Sequence, residues 1–163
     1  MRSFAFLAPL TLIAALATPA FAQTPQVNVT VGGDLTEDVE DLGQRDVDRQ
    51  LERLQTVIER RLARDGALEG SQINLVLTDL KPNRPTWEQA AETPGLSIID
   101  SFSIGGATIE GEVITADGQR LPVRYSFYSS SIAEVRGYST WQDAEQTYAR
   151  LASNLVSGRL VSR

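Results

Sequence analysis

The sequence predicts an α+β fold: a two-layer sandwich, with a mainly antiparallel sheet of about four strands and two amphipathic helices on one face. Three observations carry that expectation. Val47, Leu51, Leu54, Ile58 and Leu62 step by four, three, four and four residues, and Trp141, Ala144, Tyr148, Leu151 and Leu155 step by three, four, three and four. Each series lines one face of a helix. Between the two helices lie segments whose apolar residues alternate with period two, the mark of half-buried strands. One-sided helices need a surface to cover, and a single sheet provides it.

The chain opens with an address rather than chemistry. Met1-Arg2-Ser3 is short and basic, Phe4 to Ala17 is mostly apolar, and Ala20-Phe21-Ala22 has the small-x-small pattern of a cleavage site. The apolar run is shorter than the about 20 residues that span a bilayer. Residues 1–22 are therefore expected to be a signal peptide, residues 23–163 a single α+β domain, and the destination periplasmic or secreted. With the signal removed, roughly 140 residues remain, enough for one packed core.

Val27 to Val31 alternates and reads as a short strand that ends at Gly32-Gly33. Residues 34–43 read as an acidic connection without clear periodicity. The first helix starts near Gln44 and stops at Gly66. Gln72 to Leu80 has apolar residues on both faces, with Ile73, Leu75 and Leu77 on one and Val76 and Leu80 on the other, as an interior strand would. Pro82 and Pro85 end it. Thr86 is placed to cap a single helical turn through Ala90. Leu96 to Ile104 is expected to resume extended structure, with a bend or bulge at Gly105-Gly106.

Ala107 to Thr115 and Gln119 to Tyr128 flank Asp117-Gly118 and predict a hairpin. A two-residue loop would set Glu110 opposite Tyr125. A three-residue loop, Ala116-Asp117-Gly118, instead aligns Val113 with Leu121, Ile109 with Tyr125, Ala107 with Phe127, and Glu110 with Arg124. Slipping the register by one residue turns every side chain over, so the longer loop is expected, with Gly118 left-handed. Ser139 or Thr140 should cap the last helix, with Gln142 or Asp143 completing a capping box, and Gly158 should end it.

Leu77 to Thr86, Ile104-Gly105-Gly106-Ala107 with Ile109 to Glu112, and Thr140-Trp141 resemble uncharacterised exported proteins of Gram-negative bacteria. The likeness covers most of the chain after residue 22. It implies an envelope location and no known reaction, so no functional residue is carried over. The element order is also similar to that of small α+β envelope-assembly proteins such as the lipopolysaccharide-assembly lipoprotein, whose lipid-anchor cysteine has no counterpart here.

Composition excludes much chemistry. The chain has no histidine and no cysteine. Serine-histidine-acid triads, thiol nucleophiles, ordinary zinc sites, disulfides and a lipid-anchor cysteine are thereby ruled out. The net charge is -6, one unit more acidic once Arg2 is removed, and Lys81 is the sole lysine. So acidic a chain is a poor ligand for nucleic acid, whose phosphates need clustered cations.

No catalytic residues, cofactor or metal site are predicted. Asp34, Glu37, Asp38, Glu40 and Asp41 do not have the calcium-loop spacing and read as a solvated lead-in to the helix. Ser129-Ser130-Ser131 has no histidine to activate it. Lys81, Arg84 and Trp87 are the candidate ligand-binding residues, because two cations and an indole share one long connection. The expected function is a non-catalytic periplasmic binding or envelope-accessory protein, not an enzyme, with an envelope protein or an anionic surface component as partner. The alternative is a carboxylate-based hydrolase of an envelope glycan, with Glu110 and Glu112 as its acids. A third reading is a structural domain whose free sheet edge associates with itself.

Overall fold

The computed structural model describes residues 23–133, 135 and 139–161, so the expected signal peptide lies outside the described residues. The elements run β1 (Gln26–Val31), α1 (Leu35–Leu42), α2 (Gln44–Asp65), β2 (Gln72–Lys81), α3 (Trp87–Glu92), β3 (Gly106–Ile114), β4 (Arg120–Tyr128) and α4 (Gln142–Val156). The four strands form one sheet in chain order, β1-β2-β3-β4. β1 and β2 pair in parallel, because the α1-α2 unit carries the chain back to the starting end of the sheet before β2 begins. The other two pairings are antiparallel.

Both long helices lie on one face. α2 packs on β1 and α4, and α4 packs on β3 and β4. The two predicted stripes are buried here, apart from half-buried Leu51, against Val27, Ile73, Leu75, Leu77, Ile109, Val113, Val123 and Tyr125. The opposite face is polar, with Asn28 donating to Asn74 at 3.1 Å, and Arg124 and Arg120 pairing with Glu110 and Glu112 at 3.2 and 2.6 Å. The architecture is the expected two-layer α+β arrangement.

The hairpin takes the longer loop. Val113 faces Leu121, Ile109 faces Tyr125, Ala107 faces Phe127 and Glu110 faces Arg124. Gly118 is left-handed at φ 83, and Thr115 and Gln119 close the loop by a 2.9 Å backbone bond. Gly66 ends α2 in the left-handed conformation, and Thr86 caps α3 through a full capping box with Gln89.

Four expectations need correction. Residues 35–42 are helix, not connection, because Leu35 and Leu42 are buried beside half-buried Val39 at spacings of four and three. Leu96 to Ile104 is not a strand; the segment is turns and loop outside the sheet. Leu80 does not share a face with Val76. The β2–β3 register slips between Leu77 and Asp79, and the extra residue, Thr78, rotates Leu80 onto the core face beside Leu77. Finally, α4 has Trp141 at its N-cap position without a side-chain cap, and the carboxylate of Asp143 is turned elsewhere.

Candidate functional site

The connection between β2 and β3, residues 82–105, is held by a buried polar pin. Asn83 is fully buried, and its Nδ2 donates to Asp143 Oδ2 at 2.6 Å. The Asp143 backbone N–H donates to Asn83 Oδ1 at 2.9 Å, and Ser129 Oγ donates to the same carboxylate at 2.7 Å. Asn83 N–H also donates to Thr140 O at 2.7 Å, and Ser103 N–H donates to Asn83 O at 3.0 Å. The connection, the end of β4 and the start of α4 therefore meet at the Asn83 carboxamide and the Asp143 carboxylate it holds. Gly105 makes room for it, since a Cβ there would stand 2.6 Å from the Asn83 side chain.

Arg84 is built into the same connection. Its Nη1 donates to Ile98 O at 3.3 Å and Ile99 O at 2.6 Å, while the guanidinium stacks 4.3 Å from the Phe102 ring centre. These contacts fold residues 96–104 back on themselves and explain why this apolar stretch leaves the sheet. Charge here is spent on carbonyls and a ring face.

Lys81 ends β2 on the polar face of the sheet. Its Nζ stands 3.8 Å from Asp79 Oδ2 and 5.6 Å from the Tyr128 ring centre. Tyr128 OH donates to Asp79 Oδ2 at 2.6 Å and lies 2.8 Å from Thr108 Oγ1, which in turn is 2.9 Å from Ser126 Oγ. With one proton per hydroxyl, the donors run Ser126, Thr108, Tyr128 and end on Asp79. Burial, and the bond to Asp79, push the Tyr128 phenol above its ordinary value, so it stays a neutral donor. The bulge at Thr78 is what brings Asp79 within reach.

Trp87 takes a different position. It is 76% exposed and opens α3. On one side it borders a groove of about 580 Å³ shared with Pro85, Ile98, Trp141, Arg49 and Arg53. On the other it borders a groove of about 720 Å³ lined by Glu40, Arg45, Glu88 and Glu92. Lys81 lines a third groove, about 530 Å³, with Pro82, Leu96, Phe102 and Ile104. The three sequence candidates thus lie close in the chain, Lys81 at the end of β2 and Arg84 and Trp87 in the connection after it, without converging: Lys81 and Trp87 line different grooves, and Arg84 braces the loop between them.

Other candidates fall apart spatially. Among the described residues, no group of three or more acidic side chains converges as metal ligands would. The acids of 34–41 are exposed in and just before α1. Glu110 and Glu112 lie on the polar face of the sheet, each paired with an arginine, and neither lines the three grooves above. Ser129 gives its hydroxyl to Asp143.

Sequence reasoning missed Asn83, Asp143, Asp79, Tyr128 and Phe102. The pattern Pro82-Asn83-Arg84-Pro85 was the available clue, because a short amide between prolines suits a fixed turn. No protein-family model matches the chain, and no curated protein matches it either.

Proposed function

We propose that the protein is an exported, non-catalytic accessory of the Gram-negative envelope that grips a protein partner through its β2–β3 connection. One observation carries this reading. Of the six large apolar side chains exposed among the described residues, four lie in this connection: Trp87 at 76%, Ile99 at 75%, Phe102 at 44% and Ile104 at 39%. Burying a wholly exposed side chain of this size is worth about 1.5–3 kcal/mol, and less for the half-buried Phe102 and Ile104, so a partner that covers them gains from it. The scaffold beneath is rigid, since Asn83, Asp143 and Arg84 fix the loop that presents them.

A protein partner is favoured over an anionic surface component. Lys81 faces Asp79, Arg84 is bound to carbonyls, and Glu88 and Glu92 flank Trp87. An anion would meet as much repulsion as attraction there. Export is supported by the pattern of residues 1–22, and the non-catalytic assignment by the lack of histidine and cysteine. No helix among the described residues is long and apolar enough to cross a membrane.

The test is site-specific photocrosslinking at position 87 in living Gram-negative cells, followed by mass spectrometry of adducts and of the processed N-terminus. A discrete envelope-protein adduct that Ile99→Ala with Phe102→Ala abolishes, while Lys81→Ala leaves it intact, is the expected result. No adduct above background, or processing anywhere other than before Gln23, overturns it.

A further inference from the structure

The two edges of the sheet are finished differently. Along β4, the Arg124 N–H donates to Leu160 O at 2.9 Å, and Arg124 pairs with Val161 in a parallel bridge. Pro122, Arg120 and Arg124 lie on the same strand, which are ordinary ways of blunting an edge. Among the described residues, β1 has none of these devices. From Gln23 to Gly33 no residue is charged, in a chain where 22% are.

The register of β1 shows which of its backbone groups are free. Gln26 N–H donates to Ser71 O at 3.0 Å and Gly32 N–H to Leu77 O at 3.1 Å. In a parallel ladder the even residues between them, Asn28 and Thr30, also turn towards β2. Val27, Val29 and Val31 therefore turn their N–H and C=O groups outward. Pro25, just before the strand, has no N–H to offer, and Gly33 bends the chain away at φ 59. The open row is three valines long.

We propose that this edge pairs with the same edge of a second copy, antiparallel about a two-fold axis at Val29, to give one continuous eight-stranded sheet. Only odd-to-odd pairing sets free groups against free groups, and centring on Val29 uses them all. Val27 then faces Val31 of the second copy, Val29 faces its own equivalent, and six backbone hydrogen bonds form. The same register sets valine beside valine on the helix-covered face, where Val29 and Val31 are only partly buried in one copy. On the polar face it sets Asn28 beside Thr30 of the second copy. Hydrogen bonding, side-chain parity and charge thus select the same alignment.

The chain's net charge of -6 makes two copies repel, yet the contacting strands are neutral. Added salt screens the repulsion and strengthens the pairing. One strand pair is a small contact beside the about 1,200–2,000 Å² of a stable complex, so the dimer depends on concentration.

The test is sedimentation equilibrium of the full expressed chain over a concentration series at low and high salt, with hydrogen exchange. A monomer–dimer equilibrium that tightens with salt is expected. Amides of Val27, Val29 and Val31 should gain protection as concentration rises, while those of Asn28 and Thr30 are protected throughout. Val29→Pro removes an outward N–H and leaves the β1–β2 ladder its donors, so dimerisation should weaken at least tenfold. Asn28→Lys with Thr30→Lys, both at exposed positions, should do the same through like charge across the axis if proline perturbs the fold. A monomer at every concentration overturns the proposal and leaves the edge for a strand from a different protein. A dimer indifferent to both variants overturns it too, by placing the contact elsewhere.

Discussion

Asn83 and Asp143, 60 residues apart in the chain, hold one another by two hydrogen bonds, Nδ2 to Oδ2 at 2.6 Å and backbone N–H to Oδ1 at 2.9 Å. Both residues are buried. The pair ties the first turn of α4 to the loop that leaves β2, and the exposed apolar residues of that loop depend on it for their placement. Asn83→Ala removes both partners and leaves a buried carboxylate with fewer donors. The expected loss is about 2–3 kcal/mol, read from the midpoint of urea unfolding at an unchanged slope. Asp143→Asn keeps the shape and should cost less.

Arg84→Ala should act locally. The guanidinium joins Phe102 to the carbonyls of Ile98 and Ile99, and none of these belongs to the main core. Global stability should fall by about 1 kcal/mol, while limited proteolysis within 96–104 accelerates strongly. Equal effects on both readouts would contradict this assignment.

Two glycines in one hairpin should respond to very different extents. Gly111 has φ 153, and a Cβ there would sit 2.1 Å from Asn74 O, within the backbone of the neighbouring strand. Gly111→Ala should therefore unfold the protein or cost more than about 4 kcal/mol. Gly118 has φ 83 with nothing within 4 Å of a Cβ. Gly118→Ala carries only the left-handed backbone strain, about 1–2 kcal/mol. Thermal melts of the two variants compare them directly.

Stability should fall in alkali. Burial, followed by the bond to Asp79, raises the Tyr128 phenol; burial, followed by the charge of Glu145, raises the Tyr148 phenol, whose OH donates to Gln50 at 3.3 Å. Both groups therefore ionise less readily folded than unfolded. Their contribution is fully present below the unfolded value of about 10 and is lost as pH rises from there through the folded values. Melting temperature should be flat from these groups at neutral pH and drop above about pH 10. Tyr128→Phe should shallow that drop, and a tyrosinate absorbance titration should show two late phenols.

The hairpin register was legible because two independent patterns agreed. Core-facing Val113 with Leu121 and Ile109 with Tyr125, and solvent-facing Glu110 with Arg124, are satisfied together by one loop length only. α2 and α4 were legible for a similar reason, since a stripe repeated over four turns is hard to mistake. α1 was not, because Leu35, Val39 and Leu42 are only three positions among five acids. Leu96 to Ile104 misled because its apolar residues look strand-like. Their backbone groups are taken instead by Arg84 and by the Ser103 N–H bond to Asn83 O.

Sequence alone thus determined the class, the two covering helices, the hairpin and the connection in which Arg84 and Trp87 lie, because periods of 3.6 and 2 are written in neighbouring residues. Only the tertiary structure decided which cations are engaged, where Thr78 shifts the register, that Asn83 finds Asp143, and which backbone groups of β1 turn away from β2. Those outcomes depend on partners tens of residues away, and a hydrogen bond across that distance leaves no period in the chain to read.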